Sequence, residues 1–405
     1  MPRDGTTLDN PYSEAIPQAF LLTLFSLLCV HQTFHWGLGL VGPTYNEAAL
    51  RLFEGISPYQ PPSNSRFIDW YQYPPFFAWV YWPLTQLSPK VHGIAWMAIN
   101  AFVFWLGVSR WQVVRWSDRR NFWWALILVL LCGMELEGSL RSRQANAIFV
   151  GFILLGARDY MERRNWGAAT WLLIGTGIKV LPILFAFFLL FPVRRQFWVA
   201  CVVVGLAVVC LPGLTLGGRG VELFFEWVQH LRQNVMPSFG QGDLASALYK
   251  AGVAKPWALA VRHSVLVVSA IVLLGMRIRS DEEFPWEIWL SIGLTAILLC
   301  SPKTEDQTFV VFAPVCLFFG KYARKSLREG NALPLVGCVI SVLLVSLLHN
   351  DLFFPRLFWP ALRYNLWTKP YGALVAWLWL VTPEIRHLIR GAIHTRAAVS
   401  PRRRG

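Results

Sequence analysis

Apolar runs with few charges recur along this chain almost without pause, from residues 20–30 through residues 373–381. A helix rises 1.5 Å per residue, so about 20 apolar residues cross the hydrocarbon core of a bilayer. Backbone in lipid must satisfy its own hydrogen bonds, which confines such runs to helices or closed barrels, and their length favours helices. Only 15% of the residues are charged, against about 25% in a soluble globular chain. The soluble class is excluded. The expected fold is all-α: a polytopic integral membrane bundle of about 12 transmembrane helices. Short re-entrant or interfacial helices are expected on its outer side.

Charge sets the expected topology. Lys and Arg outnumber Asp and Glu by 37 to 23, and the excess falls in short clusters at 110–120, 158–164, 194–195, 277–279, 321–328 and 386–404. Such clusters mark the cytoplasmic side of a membrane protein. No soluble basic domain exists to bind nucleic acid. Less basic polar segments alternate with the clusters: 42–72, 135–146, the Lys179 region, 217–255, 301–307 and 349–369. The chain reads as one membrane domain, 1–405, with 1–16 a cytoplasmic tail and 386–405 a basic cytoplasmic tail. Residues 41–72 form a first outer loop carrying an interfacial helix, and 217–256 and 349–370 are further outer loops. Two stretches strain the alternation. Residues 74–87 read as a shallow or re-entrant piece before a span at 91–108. Residues 166–191 must return to their starting side, so a break is expected near Lys179–Pro182.

The N-terminal segment lacks the cationic start and small-residue cleavage site of a signal peptide, so the first span is expected to stay attached. The seven cysteines all lie in or beside apolar runs without a CxxC, as packing residues do.

Polar residues of chemical interest collect on the expected outer side. In the first outer loop Ala48, Leu52 and Phe53 fall at helical spacing, and Gly55 supplies a stop. This short amphipathic helix either anchors at the membrane surface or presents Glu47 or Glu54 as a general base. Asp69 stands among Trp70, Tyr71 and Tyr73, either as a catalytic acid or as a carboxylate held by aromatic hydroxyls. Arg141 and Arg143 lie on the side where topology disfavours them. Either Glu135 and Glu137 neutralise them, or they bind an anion such as a phosphate. Lys179 sits in an apolar stretch, a functional candidate unless it snorkels from a helix end. Lys303, Glu305, Asp306 and Gln307 form a charged knot that is either a site or a connecting turn. His31 and His35, four apart, lack a third ligand at a fixed offset, so no metal site is expected. No P-loop, GxGxxG, GxSxG or HExxH occurs.

Several of these segments resemble, in order, one family. Tyr45 to Ala49 with Gly55, Pro58 and Tyr59 resembles the early loop of glycosyltransferase family 87, multi-spanning GT-C enzymes that use polyprenyl-phosphate sugars. Tyr71-Gln72-Tyr73-Pro74-Pro75 with Pro83-Leu84 is similar to its Y-x-Y-P-P…P-L run. Gln144-Ala145-Asn146 resembles its G-Q-x-N motif, with Arg143 in the glycine place. Gly167-Ala168-Ala169 and Lys179 to Pro182 resemble its A-G…K-x-x-P span. Residues 240–248 and Ser301-Pro302 also fit in order, so the resemblance covers most of 45–314.

The resemblance implies an inverting transfer, typically of mannose, from a polyprenyl phosphate to an outer-leaflet or periplasmic lipid or glycan acceptor. The site would face the periplasm or exterior of the plasma membrane, and no nucleotide or other cofactor would be needed. Glu47, Asp69 or Glu54 would act as base, and Arg141, Arg143, Lys179 and Lys303 would hold the leaving phosphate. Tyr45, Tyr73, Gln144, Asn146, Glu305, Asp306 and Gln307 would contact substrate. Two positions depart from the family: its early-loop Asp, four before Tyr45, falls on Val41, and its S-P-x-x-W-x-H histidine falls on Gln307. A relocated base, a different sugar or acceptor, or an inactive scaffold in glycan assembly are all open. A transporter or lipid-carrier flippase is the competing class, though no repeat of halves is visible.

Overall fold

The computed structural model describes residues 12–31, 41–60, 71–111, 122–190, 194–215, 219–234, 242–279, 284–301, 306–347 and 368–399. Among them every regular element is helical and no strand occurs. The helices in order are α1 (Ala15–His31), α2 (Gly42–Phe53), α3 (Pro75–Thr85), α4 (Pro89–Arg110), α5 (Phe122–Arg141) and α6 (Asn146–Met161). Next come α7 (Asn165–Ile178), α8 (Pro182–Leu189), α9 (Arg195–Thr215), α10 (Gly220–Asn234) and α11 (Leu244–Lys250). The last are α12 (Lys255–Arg279), α13 (Trp286–Cys300), α14 (Phe312–Arg328), α15 (Leu333–Val342) and α16 (Thr368–Val399). A 3-10 turn, Asp306–Val311, leads into α14, and a π turn, Leu343–Leu347, extends α15.

Among the described residues three helices are long and apolar enough to cross a membrane: Pro89–Arg110, Arg195–Leu214 and Lys255–Ile278. Shorter apolar helices are Ala15–Val30, Trp286–Cys300 and Leu333–Ser346. Of the roughly twelve crossings read from hydropathy, three thus stand as single long helices among the described residues. The second and third bury only 22% and 28% of their apolar windows, against 61% for the first. That outward apolar surface suits contact with lipid, whereas α4 belongs to a protein interior.

The helices gather into two compact units, one of Met1–Ile127 with Glu135–Met236, the other of Leu128–Met134 with Pro237–Gly405. In the first unit α6 is the central helix, buried along nearly its whole length. It runs beside α4, and glycines let the two backbones meet. A Cβ on Gly151 would fall 2.4 Å from the Val103 carbonyl oxygen, and one on Gly107 would fall 2.8 Å from that of Gly151. Small residues at such crossings are how membrane helices gain contact.

The expected break after Lys179 is present. Lys179 is extended at φ −145°, ψ 131°, and α8 opens on Pro182. A proline there has no N–H to continue α7, and its ring would clash with the carbonyl four residues back. The chain then returns to where α7 began: Arg194 donates to the Tyr160 carbonyl at 2.7 Å. The shallow piece before α4 is the 11-residue α3.

These turns give the first unit two distinct ends. At one, Val41 N–H reaches the Ser142 carbonyl, Lys179 reaches Asn146, and Ser57 reaches Glu226. Four segments read as outer therefore share one end. At the other, Arg110 pairs with Asp159 at 3.1 Å and Glu162 at 2.7 Å, and Tyr12 and Trp171 each donate to Asp159 at 3.0 Å. Gly167 leaves room for that carboxylate, since a Cβ there would lie 2.5 Å from Asp159 Oδ2.

In the second unit α13 is almost wholly buried. Trp289 donates to the Leu273 carbonyl at 3.2 Å, and Trp377 to Ser269 at 2.8 Å. Asp243 caps α11 through the Ser246 N–H and pairs with Arg262, both at 3.1 Å.

Candidate active site

The turn between α5 and α6 is the centre of the first end. The N–H groups of Arg143 and Gln144 fold back onto the Leu140 and Ser139 carbonyls, closing α5 with Arg143 at φ +60°. Glycine adopts this left-handed conformation freely and other residues only at a cost. The backbone thus explains why a glycine suits this place in the G-Q-x-N motif. Here an arginine holds it, with 1% of its surface exposed.

Aromatic side chains from α2, α3 and α4 enclose that turn. Trp96 donates to the Arg143 carbonyl at 2.9 Å. Tyr45 accepts from the Ala145 N–H at 3.4 Å and bonds the Tyr73 hydroxyl at 2.9 Å. Around Tyr45 stand Tyr73, Phe77, Tyr81 and Trp96, their ring centres 5.1, 4.8, 5.5 and 6.2 Å away. Burial, and then the neighbouring Tyr73, push the Tyr45 phenol well above its ordinary value, so it stays a neutral hydrogen-bonding group. Burial pulls the Arg143 guanidinium below its usual value, partly offset by Tyr81.

Lys179 enters from the α7–α8 break. Its Nζ donates to Asn146 Oδ1 at 2.6 Å and lies 5.3 Å from the centre of the Phe149 ring. Asn146 in turn donates to Gln144. Five residues singled out in the sequence, Tyr45, Tyr73, Gln144, Asn146 and Lys179, therefore meet at this turn, and Arg143 stands in it through its backbone, its guanidinium donating to the Leu140 carbonyl at 3.4 Å. Two buried hydroxyls in the adjoining helices, Thr44 of α2 and Ser139 of α5, have no hydrogen-bond partner among the described residues.

Other candidates stand apart. Glu47 pairs with Arg51 at 2.7 Å, two residues along α2 from Tyr45 and so on another face of the helix. Glu54 is exposed at the end of α2, where Gly55 at φ +76° stops the helix as expected. The buried stripe of α2 is Tyr45, Ala48, Ala49 and Leu52. Phe53, expected to share it, instead stacks on Trp82 at 4.4 Å with 36% of its surface exposed. Arg141 is partly exposed, 3.9 Å from Glu137. Asp69, Lys303 and Glu305 lie outside the described residues, as do the side chains of His31, Asp306 and Gln307.

Helix α10 was not among the elements expected from the sequence. Leu223, Trp227 and His230 form its buried stripe at i, i+4 and i+7. Glu226 accepts from Ser57 at 2.5 Å, Trp227 donates to the Gln72 carbonyl at 3.0 Å, and the His230 and Tyr59 rings lie 5.6 Å apart. Tyr59 continues inward, donating to the Tyr73 carbonyl at 3.0 Å. The spacing was visible in the sequence, but its partner, the first loop, is distant in the chain. No three His, Cys, Asp or Glu stand close enough to hold a metal among the described residues.

Val41, where the resembled family carries its early-loop Asp, bonds through its N–H to the Ser142 carbonyl at 3.3 Å. The departure therefore falls beside this turn.

Comparison with known families returns the model of glycosyltransferase family 87 over residues 71–302. That is more than half of the chain, and it includes Tyr73, Arg143, Gln144, Asn146 and Lys179. The early loop, with Tyr45, Glu47 and Glu54, precedes the matched span. No curated protein and no solved structure matches the chain.

Proposed function

The chain belongs to glycosyltransferase family 87, and on that premise we propose that it moves a sugar, mannose in our reading, from a polyprenyl-phosphate donor to a lipid or glycan acceptor on the outer side of the plasma membrane. The observation that carries this reading is the chain of Lys179, Asn146 and Gln144 beside the Arg143 turn and the Tyr45–Tyr73 pair. Two cations and two amides suit a phosphate whose charge grows as its bond to sugar breaks. Such a donor carries its own leaving group, so the transfer draws on no nucleotide.

In the reaction we propose, an acceptor hydroxyl attacks the anomeric carbon from the face opposite the phosphate. The carbon–oxygen bond to phosphate breaks, its electron pair leaves with the polyprenyl phosphate, and the configuration inverts. The hydroxyl proton passes to a carboxylate. Arg143 and Lys179 hold the departing phosphate, Gln144 and Asn146 orient the sugar or phosphate oxygens, and the tyrosines line the sugar's place. Arg141, Lys303, Glu305, Asp306 and Gln307 remain further proposed contacts.

We assign the base to Asp69, four residues before Tyr73 in the chain. The Arg51 pairing of Glu47 and the exposure of Glu54 weigh against those two. The test is sugar transfer by the purified protein from radiolabelled polyprenyl-phosphate mannose to membrane-extracted acceptors. Asp69→Asn should lower turnover by roughly 10²–10⁴-fold, while Glu47→Gln and Glu54→Gln stay near wild type. Full turnover in Asp69→Asn would sink the assignment. The Val41 departure favours a second reading, an inactive scaffold in glycan assembly. Wild-type protein that binds donor without transferring to any acceptor would support it.

A further inference from the structure

At the end of the first unit away from the 142–146 turn, the α6–α7 turn and the start of α9 border an open surface cavity of about 400 Å³. It is lined by Arg163, Asn165, Arg194, Arg195 and Gln196, three cations and two amides without a carboxylate. The acids nearby are already engaged, Asp159 by Arg110, Tyr12 and Trp171, and Glu162 by Arg110, Arg158 and Arg164.

Two of its lining residues are held in place from within the fold or across the cavity. Arg194 is fixed by its bond to the Tyr160 carbonyl and lies 4.0 Å from the Tyr160 ring centre. Asn165 donates to Gln196 at 3.1 Å, tying one wall to the other. Arg163 holds φ +60° just past α6, a left-handed position that costs a non-glycine residue about 1 kcal/mol. Helices α7 and α9 both begin here, at Asn165 and Arg195, and add the partial positive charge of their N-termini.

What lies beside the cavity selects the class of anion. From Arg195, α9 continues as an apolar helix whose Trp198, Val199, Val202, Val203 and Leu206 are exposed. A charged headgroup in the cavity leaves its acyl chains against that face, whereas a soluble anion would have no use for it. We propose that the Arg163–Arg194–Arg195 cavity binds the phosphate of an anionic phospholipid, its chains laid along α9. Guanidinium forks suit a phosphate diester, and basic pockets between membrane helices are where anionic headgroups lodge. This inference does not depend on the proposed transfer reaction.

The test is the melting midpoint of the purified full chain in neutral detergent, titrated with phosphatidylglycerol, phosphatidylcholine or inorganic phosphate. Phosphatidylglycerol should raise the midpoint at concentrations at least about tenfold below those phosphatidylcholine needs. Inorganic phosphate at the same concentrations should not move it. Arg163→Gly, which relieves the left-handed strain and so keeps the fold, and Arg195→Gln should each weaken the phosphatidylglycerol response by about tenfold. Equal response to the two lipids, or variants that titrate like wild type, would overturn the proposal. Inorganic phosphate acting as well as the lipid would assign the cavity to a soluble anion and overturn it too.

Discussion

Arg143 joins two conflicting demands in one residue. Its backbone takes the conformation glycine prefers, while its guanidinium is buried beside Tyr81. Replacing it separates the two. Arg143→Gly removes the charge and the strain together, whereas Arg143→Ala removes the charge and keeps a Cβ in the left-handed region. The glycine variant should therefore be the more stable by about 1 kcal/mol, read from melting or denaturant midpoints in detergent. An alanine variant as stable as the glycine one would show that Arg143 carries no such strain. The sequence made this residue conspicuous through its sign on the disfavoured side and its place in a glycine motif. The positive φ itself was only implied, because it arises from how α5 closes onto Leu140 and Ser139.

At the scale of the element, the break between α7 and α8 was legible because its cause is local: Pro182 cannot extend α7, whatever packs around it. The role of α10 was not, because a stripe of Leu223, Trp227 and His230 acquires meaning only from the first loop it covers, more than 140 residues earlier. Close helix approach is equally invisible from the chain alone, since Gly151 reads as one more small residue in an apolar run. Gly151→Ala should push α4 from α6 and cost about 1–3 kcal/mol in the midpoint of thermal unfolding. An unchanged midpoint would mean that the helices separate freely.

The Arg110 cluster makes a second prediction for the elements that meet there. Burial raises the Glu162 carboxyl, but the hydrogen bond and charge of Arg110, then of Arg158, outweigh it and leave the group below its ordinary value. A carboxylate with a lowered folded-state value stabilises the fold above its unfolded value, about 4.3, and loses that contribution as pH falls through the folded one. The melting midpoint should therefore drop below about pH 4, and Glu162→Gln should flatten that part of the profile. A variant profile parallel to wild type would rule Glu162 out as the source.

Across the whole molecule, apolar runs and basic clusters were enough to give an all-helical membrane protein. They also grouped the segments of the first unit onto two ends, one with the aromatic and amide cluster and one with the arginine clusters. The individual crossings were less legible, because several apolar elements, such as the eight-residue α8, are shorter than a bilayer requires. Hydropathy registers apolar length and cannot tell a short buried helix from part of a span. In the site, the ordered motifs identified Tyr73, Arg143, Gln144, Asn146 and Lys179 as members of one family pattern, and their meeting needed the α7–α8 break and the α5–α6 turn together.

In the reaction proposed above, this meeting point holds the donor's phosphate. Its most direct test is the equilibrium binding of a radiolabelled polyprenyl-phosphate sugar to wild-type protein and to Arg143→Gly. Kd should rise roughly tenfold to a hundredfold in the variant, measured on protein whose cooperative melting shows it folded. An unchanged Kd in that well-folded variant would contradict it and move the donor site away from the 142–146 turn.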